Sequence, residues 1–466
     1  MNITIDSDGG QIKNKIVIIG AGISGTSAAY LLNKLGYDIV VLEKKKDPGG
    51  SIETAFENGF LFDKGPNSAL ETTPLISQLI EELDLKDQLV YANKEANKRY
   101  ILRNNKLHAL PMSPGAFFKT KLFSPAAKLR LMGEPFVGRS KDGYYQSLAE
   151  FVKRRLGKEF LDYVINPFVA GVYAGTPEEL SVKSAFPKLY DLEEKYGGLI
   201  VGTIRSIRER KRRAEKSKQS AKMLSFKDGM HVLPKAIVKH LANKVKLESE
   251  VVSIEKKEKG YCVNYIQNGV KQSIDCTKII STLPAYAAAD LFSHFDEGIV
   301  KHFNEIYYPP VLVLFLAYKK EDIKTPLDGF GFLIPAKERK SFLGAIWSSV
   351  IFPNRSDENN AAFTLFVGGA RNPEIGSIDK EILINKVQKE FEEIMQISGK
   401  PLLQKYKYWS KAIPQYNLGY IEHEKYFDEF EKKNPGIILS GNYRGGISVG
   451  DCIKNASVVV DKVTKY

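Results

Sequence analysis

The chain has 466 residues, of which 43% are hydrophobic and 26% charged, so we expect about two or three folded domains rather than a disordered or fibrous protein. A formal net charge of +13 suits an anionic partner such as a nucleic acid, a lipid surface or an acidic substrate. Fully apolar runs such as 311–318 are much shorter than the ~20 residues of a membrane-spanning helix, and the polar N-terminus does not resemble a signal peptide. The three cysteines and six histidines show no metal-ligand spacing, so we predict a cytoplasmic protein without a disulfide framework or metal.

A strand, a turn, a helix and a second strand open the chain. Residues Lys15–Ile19 and Asp38–Leu42 predict β-strands, and 24–35 have the apolar spacing of a helix. Glu43 follows the second strand. The turn between the first strand and the helix consists of Gly20, Ala21, Gly22, Ile23, Ser24 and Gly25. This order is typical of a dinucleotide-binding site.

Each residue of this fingerprint has a physical task. Gly20 makes the tight turn, Gly22 lets backbone N–H groups approach a pyrophosphate, and Gly25 lets helix and strand pack closely. Glu43 stands where an acidic side chain accepts hydrogen bonds from the ribose hydroxyls, and the helix N-terminus favours the negative phosphates. The alternative is a glycine-rich turn that binds nothing.

Two further glycine-bearing turns, 48–51 and 63–68, follow the acidic residue. The fingerprint alone does not separate NAD from FAD, but these turns suit a long cofactor that lies extended over several loops. We therefore predict non-covalent FAD. The predicted contacts in this part of the chain are Lys44, Gly50, Ser51, Gly65, Pro66, Asn67 and Ser68.

Residues 99–110 predict a β-hairpin. Their side chains alternate in character, and the turn falls at Asn104 and Asn105, where asparagine tolerates the left-handed conformation that a tight turn requires. Arg99 begins the hairpin. An arginine at such a position is usually a solvated surface charge.

The positive charge is concentrated between residues 111 and 222. Residues 111–139 interleave aromatic and basic side chains, which suits an amphipathic surface on anionic lipid or, alternatively, a helical lid with an ordinary apolar core. Residues 205–222 contain nine basic and two acidic residues, a net of +7. We predict a solvated face there, turned to a membrane or a partner enzyme. Nucleic-acid binding is disfavoured because no stacking platform or recognition motif accompanies the run.

The rest of the chain is rich in β-strand patterns. A loop and helix at 226–240 precede a predicted strand meander, and a second sheet is predicted further on. The predicted strands are 245–254, 260–266, 272–280, 312–317, 341–348 and 362–368. Near the end, a buried strand at 436–439 leads through a glycine-rich turn into a small-residue helix at 447–458. This turn is predicted to place a second helix N-terminus near a flavin, with a purely structural turn as the alternative.

Several motifs together give a more specific resemblance, which extends from about Lys15 to the C-terminus. They are Gly65-Pro66-Asn67-Ser68, the segments 166–175 and 180–187, Ala412-Ile413-Pro414-Gln415-Tyr416, and Gly441-Asn442-Tyr443 with Gly450-Asp451-Cys452-Ile453. The chain resembles the FAD-dependent amine oxidase and desaturase superfamily and, within it, the oxygen-dependent protoporphyrinogen oxidase family with its coproporphyrinogen-oxidising branch.

This resemblance implies an α/β fold of three parts. A discontinuous Rossmann-type FAD domain is expected from 14–70, 224–283 and 404–466. A mixed-sheet substrate domain is expected from 71–112 and 284–403. Residues 113–223 are expected to form a helical, basic insertion that faces a membrane.

The resemblance also assigns roles to single residues. Arg99 is expected to hold a propionate of a tetrapyrrole, because a planar guanidinium matches a carboxylate. Additional cofactor contacts are expected at Val251, Trp409, Ile447, Ser448 and Val449, and substrate contacts at Gly171, Phe330, Gly331 and Leu333. From the residues alone, Val251 is more simply a core valine. A buried tryptophan without a ligand is the alternative for Trp409, and a hairpin turn is the alternative for 328–333.

The implied activity is FAD-dependent oxidation of a porphyrinogen to the porphyrin in haem biosynthesis. Dioxygen would accept the electrons in three two-electron cycles, with hydrogen peroxide as by-product. Protoporphyrinogen IX is the favoured substrate and coproporphyrinogen III the alternative. Another flavin amine oxidase or a carotenoid-desaturase-like oxidoreductase is the competing interpretation. The implied partners are the tetrapyrrole, dioxygen, an anionic membrane at the cytoplasmic face and the next haem-synthesis enzyme, with no nucleic acid.

No catalytic acid or base is assigned from the sequence. The cofactor performs the redox step in such enzymes, so the protein is expected to supply orientation and a dry pocket. Tyr420 stands where the family commonly has histidine. This difference puts a proton-handling role at that position in doubt.

Overall fold

The computed structural model describes residues 4–5, 11–12, 15–140, 145–213 and 221–465. It has the predicted mixed α/β architecture, with several separate sheets. The longest helices of the described ranges are too short or too polar to cross a membrane.

The strands, in chain order, are β1 (Thr4–Ile5), β2 (Gln11–Ile12), β3 (Lys15–Ile19), β4 (Asp38–Leu42), β5 (Thr54–Glu57), β6 (Phe60–Asp63), β7 (Ala69–Leu70), β8 (Leu89–Tyr91), β9 (Lys98–Arg103), β10 (Lys106–Ala109), β11 (Met223–Phe226), β12 (Val245–Lys246), β13 (Ser249–Lys257), β14 (Gly260–Gln267), β15 (Val270–Cys276), β16 (Lys278–Ser281), β17 (Val311–Lys319), β18 (Gly329–Leu333), β19 (Gly344–Ile346), β20 (Asn360–Gly368), β21 (Leu403–Trp409) and β22 (Ile437–Leu439).

The α-helices are α1 (Ile23–Lys34), α2 (Pro74–Glu82), α3 (Pro114–Lys119), α4 (Pro125–Met132), α5 (Leu148–Arg155), α6 (Lys158–Phe160), α7 (Asn166–Tyr173), α8 (Val182–Ala185), α9 (Pro187–Tyr196), α10 (Leu199–Arg213), α11 (Val232–Leu241), α12 (Ala285–Phe292), α13 (Glu297–Asn304), α14 (Ser348–Ile351), α15 (Lys380–Met395), α16 (Tyr420–Lys433) and α17 (Val449–Lys465). A π-helical turn covers Leu161–Ile165. Short 3₁₀ turns lie at Lys86–Gln88, Glu134–Phe136, Ala242–Lys244, Lys320–Asp322, Ala336–Glu338, Pro353–Arg355 and Pro373–Gly376.

The N-terminal pattern forms the centre of a five-stranded parallel sheet in the order β12-β4-β3-β16-β22. Because side chains alternate along a strand, Ile16 and Ile18 of β3 enter the core beneath α1 and α17. Val17 and Ile19 enter a second core beneath β13–β15 and α12. The predicted strand–helix–strand unit is confirmed, as is a strand at the C-terminal turn.

Two predicted strands are each divided between two sheets. The predicted strand 245–254 breaks at Glu248, whose φ of 52° lies in the left-handed region, and becomes β12 and β13. The predicted strand 272–280 breaks at Thr277 and becomes β15 and β16. In both cases one part joins the parallel sheet and the other joins the β13-β14-β15 meander packed on it. Because the residues before and after each break are all compatible with strands, the local sequence pattern did not predict the break.

A seven-stranded mixed sheet has the order β10-β9-β18-β19-β20-β17-β21. Its β9–β10 hairpin confirms the prediction, with Asn104 and Asn105 at φ of 53° and 57°. On β17, Leu314 and Leu316 face the core beneath α15, whereas Val313 and Phe315 face the strands β5 and β6. Strand β21 pairs with β17, so Leu403–Trp409 lies in this sheet although the predicted FAD segment begins at residue 404.

Helices α3–α10 and their connecting turns make up the described ranges within 113–213, whereas Met223, the last residue of the predicted helical segment, begins strand β11. A buried charge network holds these helices together: Arg155 pairs with Glu134 at 3.0 Å and with Glu193 at 2.5 Å. Part of the predicted basic face lies in α10, where Arg205 and Arg208 are exposed. Residues 214–220 of that face lie outside the described residues.

Candidate active site

The glycine-rich turn after β3 has the conformation that only glycine supplies without strain. Gly20 has a φ of 102°, in the left-handed region. A Cβ atom on Gly25 would lie 2.0 Å from the carbonyl oxygen of Gly20. These two glycines are therefore required by the packing of α1 against β3, as the fingerprint predicts.

Gly22, unlike Gly20 and Gly25, has open space beside its Cα atom. It pairs with Gly49 in an isolated bridge, and within the described chain a Cβ atom on Gly22 would meet nothing nearer than the Cα atom of Gly50, at 4.0 Å. Helix α1 begins directly after Gly22, which has no side chain to cap the exposed N–H groups. The space beside Gly22 and Gly50 thus fits a pyrophosphate held by backbone donors.

Glu43 is 7% exposed at the end of β4 and is fixed by two backbone donors. Its Oε2 atom accepts a hydrogen bond from Ala21 N at 2.7 Å, and its Oε1 atom accepts one from Lys45 N at 2.9 Å. Each oxygen retains a lone pair for a ribose hydroxyl. Lys44 is exposed.

Val251 lies close to the same edge of the sheet. The strand β13 that carries it begins at Ser249, whose N–H donates to the carbonyl of Glu43 at 2.8 Å. The Val251 side chain is half-buried and packs on the core beneath β13–β15. This position is compatible with both the predicted cofactor contact and an ordinary core valine.

The 63–68 turn approaches the 48–51 turn through Gly65. A Cβ atom on Gly65 would lie 2.0 Å from the carbonyl oxygen of Ser51, so the 48–51 and 63–68 turns touch through their backbones. Trp409, at the end of β21 in the seven-stranded sheet, contacts the 63–68 turn. Its Nε1 atom donates to the carbonyl of Lys64 at 2.8 Å. The structure therefore brings Ser51, Gly65 and Trp409 together.

The C-terminal glycine-rich turn leads into α17 beside strand β7 and helix α1. Ser448 precedes α17 and accepts a hydrogen bond from Asp451 N at 3.1 Å, as an N-cap does. Cys452, in the first turn of α17, is buried in the core that α17 shares with α1. A Cβ atom on Gly450 would lie 2.9 Å from the carbonyl oxygen of Leu70. Ile447 is half-buried, and Val449 is buried in the core beneath α1.

Two tyrosines support this turn. The Tyr416 hydroxyl accepts a hydrogen bond from Gly446 N at 3.0 Å and donates one to the carbonyl of Asn442 at 2.8 Å. Tyr420 stacks on Tyr416 at 4.4 Å and donates to the carbonyl of Tyr443. Burial raises the pKa of Tyr420 well above its ordinary value, so its hydroxyl stays protonated. At this position tyrosine is a structural donor.

The five predicted substrate residues form one group beside the cofactor region. The Arg99 guanidinium lies over the Phe330 ring, 5.0 Å from its centroid, and Arg99 pairs with Gly331 across β9 and β18. Gly331 has a φ of 133°, and the ladder carries a bulge between Gly329 and Gly331, which contains Phe330. A Cβ atom on Gly171 would lie 2.6 Å from Leu333 Cδ2.

One cleft is lined by residues of both the predicted cofactor region and the predicted substrate region. Asn67 and Ser68 line it together with Phe330. Asp63 and Arg355 also line it and form a buried ion pair of 2.9 Å. Arg355 was not predicted as a site residue, because a single arginine in a Pro-Asn-Arg turn carries no signal that it will meet Asp63.

A second group of side chains was also missed. We predicted no metal-ligand cluster from the histidines, yet His302 and His423 lie with their Nδ1 atoms 2.9 Å apart, next to Glu305. The two histidines are far apart in sequence, so spacing along the chain did not predict their contact.

The fold and the glycine-rich turns define a class of FAD-binding oxidoreductases. The family described as flavin containing amine oxidoreductase matches residues 23–463. The chain therefore belongs to the flavin-containing amine oxidoreductase family. It is an oxidoreductase, and FAD, the predicted cofactor, is confirmed.

The names of similar proteins indicate more specifically which members of this family the chain resembles. The chain is 31% identical to protoporphyrinogen oxidase 2, chloroplastic/mitochondrial, of Arabidopsis thaliana, over 97% of this chain and 94% of that protein. It is 28% identical to coproporphyrinogen III oxidase of Bacillus subtilis, over 99% of each. A crystal structure from Exiguobacterium sp. 255-15, named "putative protoporphyrinogen oxidase", has the same fold, with a TM-score of 0.80 at 21% identity over 99% of this chain and 100% of that one. The resemblance inferred from the motifs is thus confirmed.

Proposed function

We propose that the protein oxidises a porphyrinogen to the corresponding porphyrin in haem biosynthesis, with dioxygen as the electron acceptor and hydrogen peroxide as by-product. The observation that carries this proposal is the shared cleft, in which Asn67 and Ser68 of the cofactor region meet Phe330 of the substrate region. One relative is named for oxidation of protoporphyrinogen and another for oxidation of coproporphyrinogen III, and both names support the same class of reaction.

The chain's own residues supply binding and orientation. The ring of Phe330 offers a flat apolar contact for one face of a tetrapyrrole, and the absence of a side chain at Gly171 provides the space that Leu333 fills. Arg99, at the exposed rim, is placed to hold a propionate. Bound FAD would accept the hydrogen that the porphyrinogen loses, two electrons at a time.

The charges of β9 support protoporphyrinogen IX as the substrate. This strand carries three cations: Lys98 is paired with Asp328, Arg103 is paired with Glu159, and Arg99 has no carboxylate within ion-pair distance among the described residues. Protoporphyrinogen IX has two propionates and coproporphyrinogen III has four. A single unpaired cation on this strand suits the substrate with fewer carboxylates.

Anaerobic mixing tests the reaction. Protoporphyrinogen IX should bleach the visible absorption of the bound flavin, and air should restore it with formation of hydrogen peroxide. A flavin that stays oxidised would contradict the proposal, and turnover of an amine or a polyene in its place would favour the competing interpretation. Steady-state kinetics with coproporphyrinogen III in parallel decide the substrate, since equal kcat/KM values would show that the pocket does not discriminate.

We also propose that residues 111–139 contact an anionic membrane at the cytoplasmic face. Leu122 and Phe123 are buried, as a lid over a core requires, but Phe118 is 55% and Phe136 91% exposed. The other large exposed apolar side chains of this segment are Met112, Leu129 and Met132, and its exposed cations are Lys119, Lys121 and Arg139. Exposed apolar groups among cations suit a lipid interface.

Sedimentation with lipid vesicles tests this contact. The protein should sediment with vesicles rich in phosphatidylglycerol more than with neutral phosphatidylcholine vesicles, and the Phe118→Ser/Phe136→Ser variant should lose most of this binding. Phe56→Ser is the matched control, because Phe56 is 72% exposed on β5, outside the segment. Unchanged binding of the double variant would remove this segment as the membrane contact.

A further inference from the structure

A cluster of three potential ligands lies between two helices on the far side of the parallel sheet from α1. His302 is near the end of α13, Glu305 directly follows that helix, and His423 is in the first turn of α16. Nδ1 of His302 and Nδ1 of His423 are 2.9 Å apart. One ligand atom from each of the three residues lies within 4.8 Å of the other two. Both histidines are half-buried and Glu305 is exposed.

We propose that His302, His423 and Glu305 bind a divalent transition metal, of which Zn²⁺ fits best. Imidazole nitrogen and carboxylate oxygen are ordinary zinc ligands, and Zn–N bonds of about 2.0–2.1 Å at a tetrahedral angle place two nitrogens about 3.3 Å apart. The observed separation needs to grow by only a few tenths of an ångström. The exposed side at Glu305 leaves a fourth position for water.

The protonation states agree with this geometry. An Nδ1–Nδ1 separation of 2.9 Å is a hydrogen bond, so one Nδ1–H donates to the lone pair of the other Nδ1. When a metal takes both Nδ1 atoms, that proton is exchanged through solvent to the Nε2 atom of the same ring, and neither ring gains a charge. Asp296 and Glu422 add negative charge nearby, against the positive Lys301.

The neighbours hold the rings in place. The His302 ring stacks on Tyr426 with centroids 4.0 Å apart, and the Tyr426 hydroxyl donates to Asp296 at 2.7 Å. The His423 ring lies edge-on against Tyr420, 5.7 Å away. A metal here would cross-link α13 to α16, the helix whose first residue, Tyr420, supports the C-terminal glycine-rich turn.

Calorimetric titration of the chelator-treated, FAD-loaded protein with Zn²⁺ tests the site. We expect one saturable site whose affinity falls at least about tenfold in His302→Gln and in His423→Gln, and less in Glu305→Gln. His240→Gln is the control, because His240 is exposed at the end of α11 and should leave the affinity unchanged. Zinc affinity within twofold of the parent protein in the His302→Gln/His423→Gln variant would overturn the proposal.

Cobalt spectroscopy provides a second readout that needs no variant. Co²⁺ at a site with two imidazoles, a carboxylate and water should give intense visible d–d bands of low coordination number, which Zn²⁺ then displaces. A spectrum of hexaaqua Co²⁺ alone, at protein and metal concentrations that saturate the calorimetric site, would show that these residues do not form it. Neither measurement depends on porphyrinogen oxidation.

Discussion

The Arg99 guanidinium lies over the ring of Phe330, 5.0 Å from its centroid, at the junction of β9 and β18. These strands run parallel, so residues from distant parts of the chain meet at one end of the seven-stranded sheet. The aromatic ring supports the guanidinium through a cation–π contact while leaving its N–H groups available. This pair forms the part of the proposed substrate region that carries charge.

Replacement of Arg99 should weaken substrate binding more than turnover. We expect Arg99→Ala to raise KM for protoporphyrinogen IX about tenfold, since a charge-assisted hydrogen bond to a carboxylate contributes about 1.5–3 kcal/mol. Arg99→Lys should recover part of this loss. Steady-state kinetics measure the effect, with Lys98→Ala as control because Lys98 is already paired with Asp328. Equal KM values in both variants would argue against a role for Arg99 in binding.

Gly171 and Leu333 should show compensating effects. A Cβ atom at Gly171 would lie 2.6 Å from Leu333 Cδ2, so Gly171→Ala should displace Leu333 toward the substrate region and lower kcat/KM several-fold. The Gly171→Ala/Leu333→Ala variant should recover part of that loss, because the second change removes the collision. No recovery in the double variant, with an intact fold by circular dichroism, would mean that the glycine acts in some other way.

Replacement of two glycines of the fingerprint should have two different effects, one on folding and one on FAD binding. Gly25→Ala places a Cβ atom 2.0 Å from a backbone oxygen and should prevent correct folding. Gly22→Ala meets no protein atom closer than 4.0 Å in the described chain, so the apoprotein should fold while FAD binding weakens. Thermal melting and the ratio of flavin to protein absorbance measure the two effects. A Gly22→Ala protein with full flavin content would contradict the assignment of Gly22 to the pyrophosphate.

The buried ion pair beneath the cleft should be costly to break. Arg355→Met leaves the Asp63 carboxylate buried without its cation, and we expect the free energy of unfolding to fall by about 3–5 kcal/mol. The exposed pair Lys86–Glu81 is the control, since Lys86→Met should change it by less than about 1 kcal/mol. Urea titrations monitored by tryptophan fluorescence give both values. Similar losses in the two variants would show that burial of the pair has no special cost.

The charge network of the helical segment predicts a dependence of stability on pH. Burial acts to raise the pKa of Glu193, but hydrogen bonds from Ser140 N, Arg155 and Arg154 outweigh it, and the pKa of Glu193 in the folded protein lies below the ordinary value of 4.5. A lowered folded-state pKa stabilises the protein above the unfolded-state value and loses that contribution as the pH falls through the folded-state value.

Glu193→Gln should therefore destabilise the protein at neutral pH and flatten the loss of stability below about pH 4.5. Melting temperatures from pH 7 to about pH 3 measure both effects. Glu194→Gln, at the exposed neighbouring position, should keep the parent profile. A Glu193→Gln profile parallel to that of the parent protein would exclude this carboxylate as the source of the acid dependence.

The local motifs of the chain were readable from the sequence because their physical requirements are local. Gly20 and Gly25 must be glycine for a turn and a helix start within six residues of each other, and the Asn104–Asn105 turn joins adjacent strands. The family resemblance further predicted the group of Arg99, Gly171, Phe330, Gly331 and Leu333, which the structure brings together. Boundaries were less predictable, as the division of 245–254 and 272–280 between sheets shows.

Contacts between distant charged and polar residues were decided only by the tertiary structure. The Asp63–Arg355 pair, the Arg155–Glu134–Glu193 network and the His302–His423 contact each join residues from separate elements. A strand or helix pattern records which side of an element is apolar, but it does not record which other element packs against that side. The sequence by itself thus determined the cofactor fingerprint and the class of fold, whereas packing decided which ionisable groups became buried and paired.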